Sequence, residues 1–387
     1  MIYYNWIVLA IILVILFFGA KRAKRGEWND EFLSYEQTKY IQGFIAICIM
    51  LHHISQKVSA NWIDKKLYIP GLDIFTEFGY FFVSIFIFCS GYGLYKSYKN
   101  KPDYFKGFFS RRIIPLIVAF YTSEWIFLIA RYLLKEEISG KLLIQYITGI
   151  RPCNPNSWYV EVMPLFYLAF FLIFRFCKNE NISLILITLF SAIYIILGLN
   201  TDHNVYYLRG EWWYNSVHLF PIGIIFARFE KKILSFFKKY YYILLILVIA
   251  VTAYTFIHSE INKGIYSYYG ETFGAKDTVY RRWMCLYLQE IASCGFTALL
   301  ILMNLKYKLG NAILSFFGKM TLEFYLIHGL FVELFSYSFA TEIASIYRIT
   351  SIPLYIFVVT ILSIPSALLI QKLDKAISAF FTGKNKS

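Results

Sequence analysis

The sequence predicts an all-α integral membrane protein that crosses the bilayer about eleven times. Three observations predict it. Eleven apolar runs are each long enough, at about 18–25 residues, to span the hydrocarbon core as a helix. The chain is 58% hydrophobic and only 16% charged, with a mean hydropathy of +0.54. A soluble domain carries closer to about one-quarter charged residues and could not hide this much apolar surface in a core. Lysine and arginine, finally, collect in alternate connections between the runs.

The runs fall at 2–20, 40–56, 75–95, 113–134, 158–177, 182–199, 212–229, 241–258, 283–303, 313–338 and 352–371, with 75–95 and 212–229 the more polar. The first resembles a signal peptide only superficially. Its basic cluster, Lys21, Arg22, Lys24 and Arg25, follows the apolar stretch, and no small-residue cleavage site fits, so a retained helix is expected. If that helix runs outside to inside, 25 of the 38 lysines and arginines fall in cytoplasmic segments. The two-to-one bias predicts an outside N-terminus and a cytoplasmic C-terminus in a plasma membrane. Inside lipid the backbone must satisfy its own hydrogen bonds, so helices are the expected element throughout. The longest outer connections are 135–157 and 259–282, and no soluble domain is expected.

The net charge of +14 sits in short clusters between apolar runs, which is a topology signal rather than a nucleic-acid surface. Cys48, Cys89, Cys177, Cys285 and Cys294 lie in apolar runs as small hydrophobes, and Cys153 stands alone in an outer connection. No CxxC spacing points to zinc or a disulfide framework, and no metal site is expected. Walker A, GxGxxG and GxSxG motifs are absent, which argues against an ATPase or a serine hydrolase.

Several polar groups interrupt the apolar runs. The second run ends in the pair His52-His53. Neighbours on a helix point about 100° apart, so only one of them is expected to face a given pore. An ionisable residue inside a membrane is costly to bury and marks a functional site by default. The plainer alternative is a histidine hydrogen-bonded to the next helix for packing. The third run carries Ser90-Gly91-Tyr92, followed by a basic connection that closes on Arg111-Arg112 and Pro115. Arginine suits phosphate through bidentate, charge-assisted bonds, and it also serves simply to anchor a helix end. The fifth run opens Ser157-Trp158-Tyr159, with Glu161 one turn inside. The tenth contains Lys319, Glu323, Tyr325 and His328 within one apolar stretch.

In this order and spacing the segments resemble the acyltransferase 3 family of membrane acyltransferases. Four stretches carry the likeness: Gln42-Gly43 leading to His52-His53, Phe81 through Tyr92, Arg111-Arg112 through Pro115, and Tyr325 through Gly329. The tract from Trp212-Trp213-Tyr214 to Phe220-Pro221 and Gly223 is similar as well. The likeness covers about residues 36–372, a ten-helix core, and leaves 1–25 as an extra helix and 373–387 as a cytoplasmic tail. The family usually has Arg or Lys where this chain has Gln42; here Lys39 lies one turn earlier.

The resemblance implies an O-acyltransferase, foremost an O-acetyltransferase, acting on a cell-envelope glycan or lipid-linked oligosaccharide. It maps the family's catalytic histidine onto His53, which would take a proton from a sugar hydroxyl as it attacks an acyl thioester. A carboxylate at the second ring nitrogen would fix the tautomer. His53 lies about thirteen residues, or ~20 Å, from the cytoplasmic end of its helix. At that depth Glu161 is preferred to Glu323 as the carboxylate. The donor expected is cytoplasmic acetyl-CoA or another acyl-CoA, with no permanently bound cofactor. Its phosphates would lie by Arg111 and Arg112, and its arm would pass Ser90 and Tyr92. Trp158, Trp212, Trp213, Tyr325 and His328 would contact the acceptor, although tryptophans at these positions also suit an interfacial belt. The rival reading is a transporter or lipid-linked glycan flippase, weakened by the lack of paired broken helices in matching halves.

Overall fold

The computed structural model describes residues 3–201, 210–266, 276–336 and 344–383. The end of the tenth expected span at 337–338, the middle of the 259–282 connection and the last four residues of the tail lie outside them. Among the described residues there are thirteen α-helices: α1 (Tyr3–Phe17), α2 (Tyr35–Val58), α3 (Gly79–Asn100), α4 (Ile114–Leu133), α5 (Gly140–Thr148), α6 (Trp158–Phe176), α7 (Glu180–Leu199), α8 (Leu219–Lys239), α9 (Tyr241–Tyr266), α10 (Lys276–Lys306), α11 (Ala312–Lys319), α12 (Thr321–Leu334) and α13 (Ile352–Phe381). The chain is an all-α, multi-pass membrane protein.

Six segments are long and apolar enough to cross a membrane by length and composition alone: Phe109–Leu133, Trp158–Phe176, Glu180–Leu199, Tyr241–Lys263, Arg282–Lys306 and Ile352–Phe381. The other expected crossings differ for physical reasons. Helix α1 has 15 residues. Helices α2, α3 and α8 carry polar side chains for the interior. The expected 212–229 run begins as a 3-10 turn, Glu211–Trp213, and becomes α-helical only at Leu219. The expected 313–338 run breaks at Met320, whose φ of −123° and ψ of 24° separate α11 from α12.

The outward faces are apolar, with Ile243, Ile246, Ile185 and Ile193 all more than half exposed, as lipid requires. Polar groups turn inward, where they find partners: Asn154, Gln289, Asn304 and His328 are nearly or fully buried. Helices α9 and α10, α3 and α8, α2 and α11, and α12 and α13 form the most extensive pairs. The α3–α8 pair crosses on a glycine from each helix. A Cβ on Gly91 of α3 would stand 2.1 Å from the Phe220 carbonyl oxygen, and one on Gly223 of α8 would stand 2.3 Å from that of Phe88. Small residues let helix backbones meet where apolar burial gives no drive for association in lipid.

The extra helix α1 is tied at both ends. At one, Asn5 donates to Asp73 at 3.0 Å; at the other, Asn311 donates to the carbonyls of Ile15 and Phe18. Beyond it, Lys21–Arg22 (β1) pairs antiparallel with Tyr307–Lys308 (β2), the only strand pairing in the described residues. This ladder shares the basic end of the bundle with the α3–α4 connection and the α8–α9 junction.

Candidate active site

The two expected histidines occupy the last two turns of α2, toward the end away from the basic clusters. His52 bonds through Nδ1 to the carbonyl of Phe75, at 2.8 Å, in the 3-10 turn that precedes α3. His53 bonds through Nδ1 to Nε2 of His328 on α12, at 2.7 Å. His328 Nδ1 lies 2.8 Å from the carbonyl of Phe324, one turn back in its own helix. The centroids of the His53 and His328 rings are 4.9 Å apart and their planes only 15° from parallel. Combined with the short N···N distance, this is an edge-to-edge, nearly coplanar pair, the geometry of an N–H···N bond.

The tautomers follow from one acceptor. A carbonyl only accepts, so His328 Nδ1 carries its hydrogen and the neutral ring leaves Nε2 bare. That lone pair accepts from His53 Nδ1–H, which in turn leaves His53 Nε2 unprotonated. His328 is fully buried, whereas His53 borders a cavity of ≈240 Å³. The nitrogen left to the cavity is the one with a free lone pair, in the state a general base needs.

A carboxylate was the expected partner of His53; the structure has His328 there instead. Glu161 leaves Oε2 buried with no hydrogen-bond partner, and Glu323 accepts from Gln371 at 3.3 Å, nearer the basic end. The expectation that only one of the paired histidines faces a given pore is also corrected. Both border this cavity, which wraps round the end of α2. His328, expected at the acceptor, lies behind His53.

The cavity wall combines aromatic faces with hydrogen-bonding groups. Trp158, Trp212 and Tyr325 line it as expected residues, joined by Trp62, Asn156, Asn215 and Gln289. Trp213 is buried behind Trp158, with ring centroids 6.2 Å apart. Two lysines on the wall are each held by acid: Lys57 by Glu333 at 2.9 Å, and Lys263 by Glu77 at 2.5 Å and by Glu260 at 3.0 Å.

A second cavity, of ≈930 Å³, opens at the basic end. Ser90, Tyr92 and Arg112 border it, with Lys39, Gln42, Lys96, Lys101 and Lys231. Tyr92 and Lys96 both bond Glu230, each at 2.6 Å, and Arg112 reaches Ser97 at 3.3 Å. Arg111 does not line this cavity; its guanidinium donates to the Tyr104 carbonyl at 2.6 Å. Lys39 borders it where Gln42 supplies no charge. Between the two cavities stand Tyr159 and Tyr325, edge to face at 5.9 Å, with the Tyr159 hydroxyl 3.4 Å from Ser90 Oγ.

One supporting residue lay within reach of the rule that flags ionisable groups in apolar runs. Glu124 of α4 is 4% exposed. It accepts from the Cys153 and Asn154 amides and from Ser157 Oγ, gathering the turn that starts α6. Asn154 then donates to the Leu326 carbonyl at 2.8 Å, bracing α12 two residues before His328. Cys153, in the same turn, is fully buried, and burial pushes its thiol up to about 12.

No curated protein and no solved structure matches the chain. The family described as an acyltransferase domain matches residues 35–372, nearly the whole length. Those bounds take in His53, His328, the cavity beside them and most of the basic cavity, leaving out α1 and the last turns of α13, and the chain therefore belongs to the acyltransferase 3 family of membrane acyltransferases.

Proposed function

We propose that this acyltransferase moves an acyl group, foremost acetyl, from cytoplasmic acyl-CoA to a hydroxyl of a cell-envelope glycan or its lipid-linked precursor on the outer side of the plasma membrane. In this reading the basic cavity faces the cytoplasm and the chain crosses eleven times. The observation that carries it is the Phe324–His328–His53 chain, which presents a bare imidazole nitrogen to a cavity walled by tryptophans and amides. Aromatic faces beside hydrogen-bonding side chains suit a sugar, with its apolar ring faces and hydroxyl rim. The basic cavity on the other side of the Tyr159–Tyr325 partition suits the phosphates of CoA.

The donor's pantetheine arm passes the tyrosine partition, bringing the thioester beside His53. Nε2 of His53 takes the proton of the acceptor hydroxyl as its oxygen attacks the thioester carbonyl. The resulting imidazolium keeps its Nδ1–H on His328. When the tetrahedral adduct collapses, the carbon–sulfur bond breaks and the thiolate leaves with the proton from Nε2. The products are the acyl ester and free CoA thiol.

The test is thiol release from acetyl-CoA by purified protein in nanodiscs, paired with mass spectrometry of surface glycans. The gene's loss should remove an acyl mass, and His53→Ala should do the same at equal membrane abundance. Removing a general base costs about 10²–10⁴-fold in rate. A His53→Ala protein that still acylates would sink the proposal.

A further inference from the structure

A third cavity, of ≈690 Å³, lies at the basic end beside the donor cavity. Its walls come from three places: the last turn of α3 at Tyr98, the connection after it, residues 101–106, and the last turns of α6. The connection folds back sharply, with Asp103 at φ +49° and Gly107 at φ +66°. Arg111 holds it there through the Tyr104 carbonyl. The role expected of Arg111 in the donor cavity is thus replaced by shaping this neighbour.

Aromatic rings form the floor. Tyr98 and Phe105 have centroids 5.4 Å apart, and Phe105 meets Phe171 of α6 at 5.5 Å. The rim is cationic: Lys101, Lys106 and Arg175 against a single acid, Asp103. The Arg175 guanidinium stands 5.8 Å over the Phe171 ring. Lys101 borders both this cavity and the donor cavity. Arg112, on the donor side, lies close enough to Tyr104 to oppose the upward push of burial on its phenol.

From this arrangement we infer that the third cavity takes the nucleotide end of the donor, the 3′-phosphoadenosine of an acyl-CoA. The inference rests on the donor reading proposed above. A diphosphate at the Lys101–Arg112 wall leaves the arm in the donor cavity and the adenosine on the other side of that wall. The purine then stacks on the ring floor, and the 3′-phosphate meets Lys106 and Arg175. An anionic lipid headgroup shares the phosphate chemistry, but it has no flat π-face to use the floor.

The experiment compares acetyl-CoA with acetyl-phosphopantetheine, which lacks the nucleotide, by thiol release from the full-length protein in nanodiscs. Acetyl-CoA should be preferred in kcat/KM by at least about tenfold, the scale of one charge-assisted contact plus base stacking. In the variant Lys106→Ala/Arg175→Ala that preference should collapse to about twofold, through KM for acetyl-CoA. Adenosine 3′,5′-bisphosphate should compete with acetyl-CoA in the native protein and lose that effect in the variant. Nanodiscs with and without anionic lipid separate the two phosphate sources: an effect of the variant confined to anionic discs overturns the inference. Equal use of both donors by the native protein also overturns it, while leaving the acyl-CoA reading intact. Release of thiol from neither donor removes the donor reading and the nucleotide site together.

Discussion

Replacing His328 by alanine removes the acceptor that fixes the His53 tautomer. The structure allows the cost to be worked out. His53 Nδ1–H loses a 2.7 Å bond in a site where His328 is fully buried. A buried donor left unsatisfied costs about 1–3 kcal/mol, and about 1.4 kcal/mol is a factor of ten in rate. The turnover number should therefore fall by about 5- to 150-fold, less than for His53→Ala, because the base itself survives. His328→Gln should recover most of the loss, since the amide oxygen can accept from His53 while its nitrogen donates to the Phe324 carbonyl. The double variant His53→Ala/His328→Ala should be no slower than His53→Ala alone, as expected of residues acting as one unit. The assay is acetyl-CoA thiol release at saturating donor, with surface-glycan acylation as the cellular readout. A His328→Ala protein at native rate, or losses that multiply in the double variant, would refute the tautomer chain.

Three further outcomes are expected. Arg112→Ala should raise KM for acetyl-CoA about tenfold, the low end for an ionic contact because the side chain is half-exposed, and unchanged donor kinetics would leave Arg112 as a membrane anchor only. Glu124→Ala leaves the Cys153 and Asn154 amides without their acceptor, at about 1–3 kcal/mol each, while Ser157 Oγ keeps the Asn154 carbonyl, so thermal unfolding in detergent should shift clearly downward; a native melting curve would show that the turn at 153–157 does not depend on that carboxylate. In intact cells an impermeant thiol reagent should label Lys65→Cys but reach Lys375→Cys only after permeabilisation, both positions being exposed; labelling of the tail from outside would invert the proposed topology.

Much of the helical architecture was legible because the bilayer imposes it. Apolar length and basic alternation announce a polytopic bundle without any knowledge of which helices touch. The break at Met320 was not legible, since no proline or glycine sits at that position. It follows from packing: α11 lies along α2, while α12 must lean toward α13 and carry His328 to α2's far end. The histidine that matters in the family likeness could be picked from the motif, but its partner could not. Depth along a helix ranked Glu161 above Glu323, and depth says nothing about rotation or neighbours. His328 carried the same warning sign as His53, an ionisable ring in an apolar helix, yet only the meeting of α2 with α12 reveals that each ring serves the other. The split between Arg111 and Arg112 is of the same kind. Adjacent arginines look equivalent in sequence, and a π-helical turn at Phe109–Ile113 sends one to the basic cavity and the other back to Tyr104.

The crossing of α3 and α8 on Gly91 and Gly223 bears on how such a molecule can work. Ser90 and Tyr92, which border the basic cavity, flank one of these contacts. At these two points backbone presses on backbone with no side chain between, so one helix cannot slide along the other without forcing those atoms together or opening a void. A carrier that exposes its cargo first to one side and then to the other needs a seam along which two bodies shear. At this crossing the seam is welded. The Tyr159–Tyr325 partition, by contrast, is made of side chains, which can change rotamer without moving either helix. On the proposed function, the membrane barrier would then be breached by a slender reactive arm threading a stationary frame, with neither the CoA nor the sugar ever changing sides.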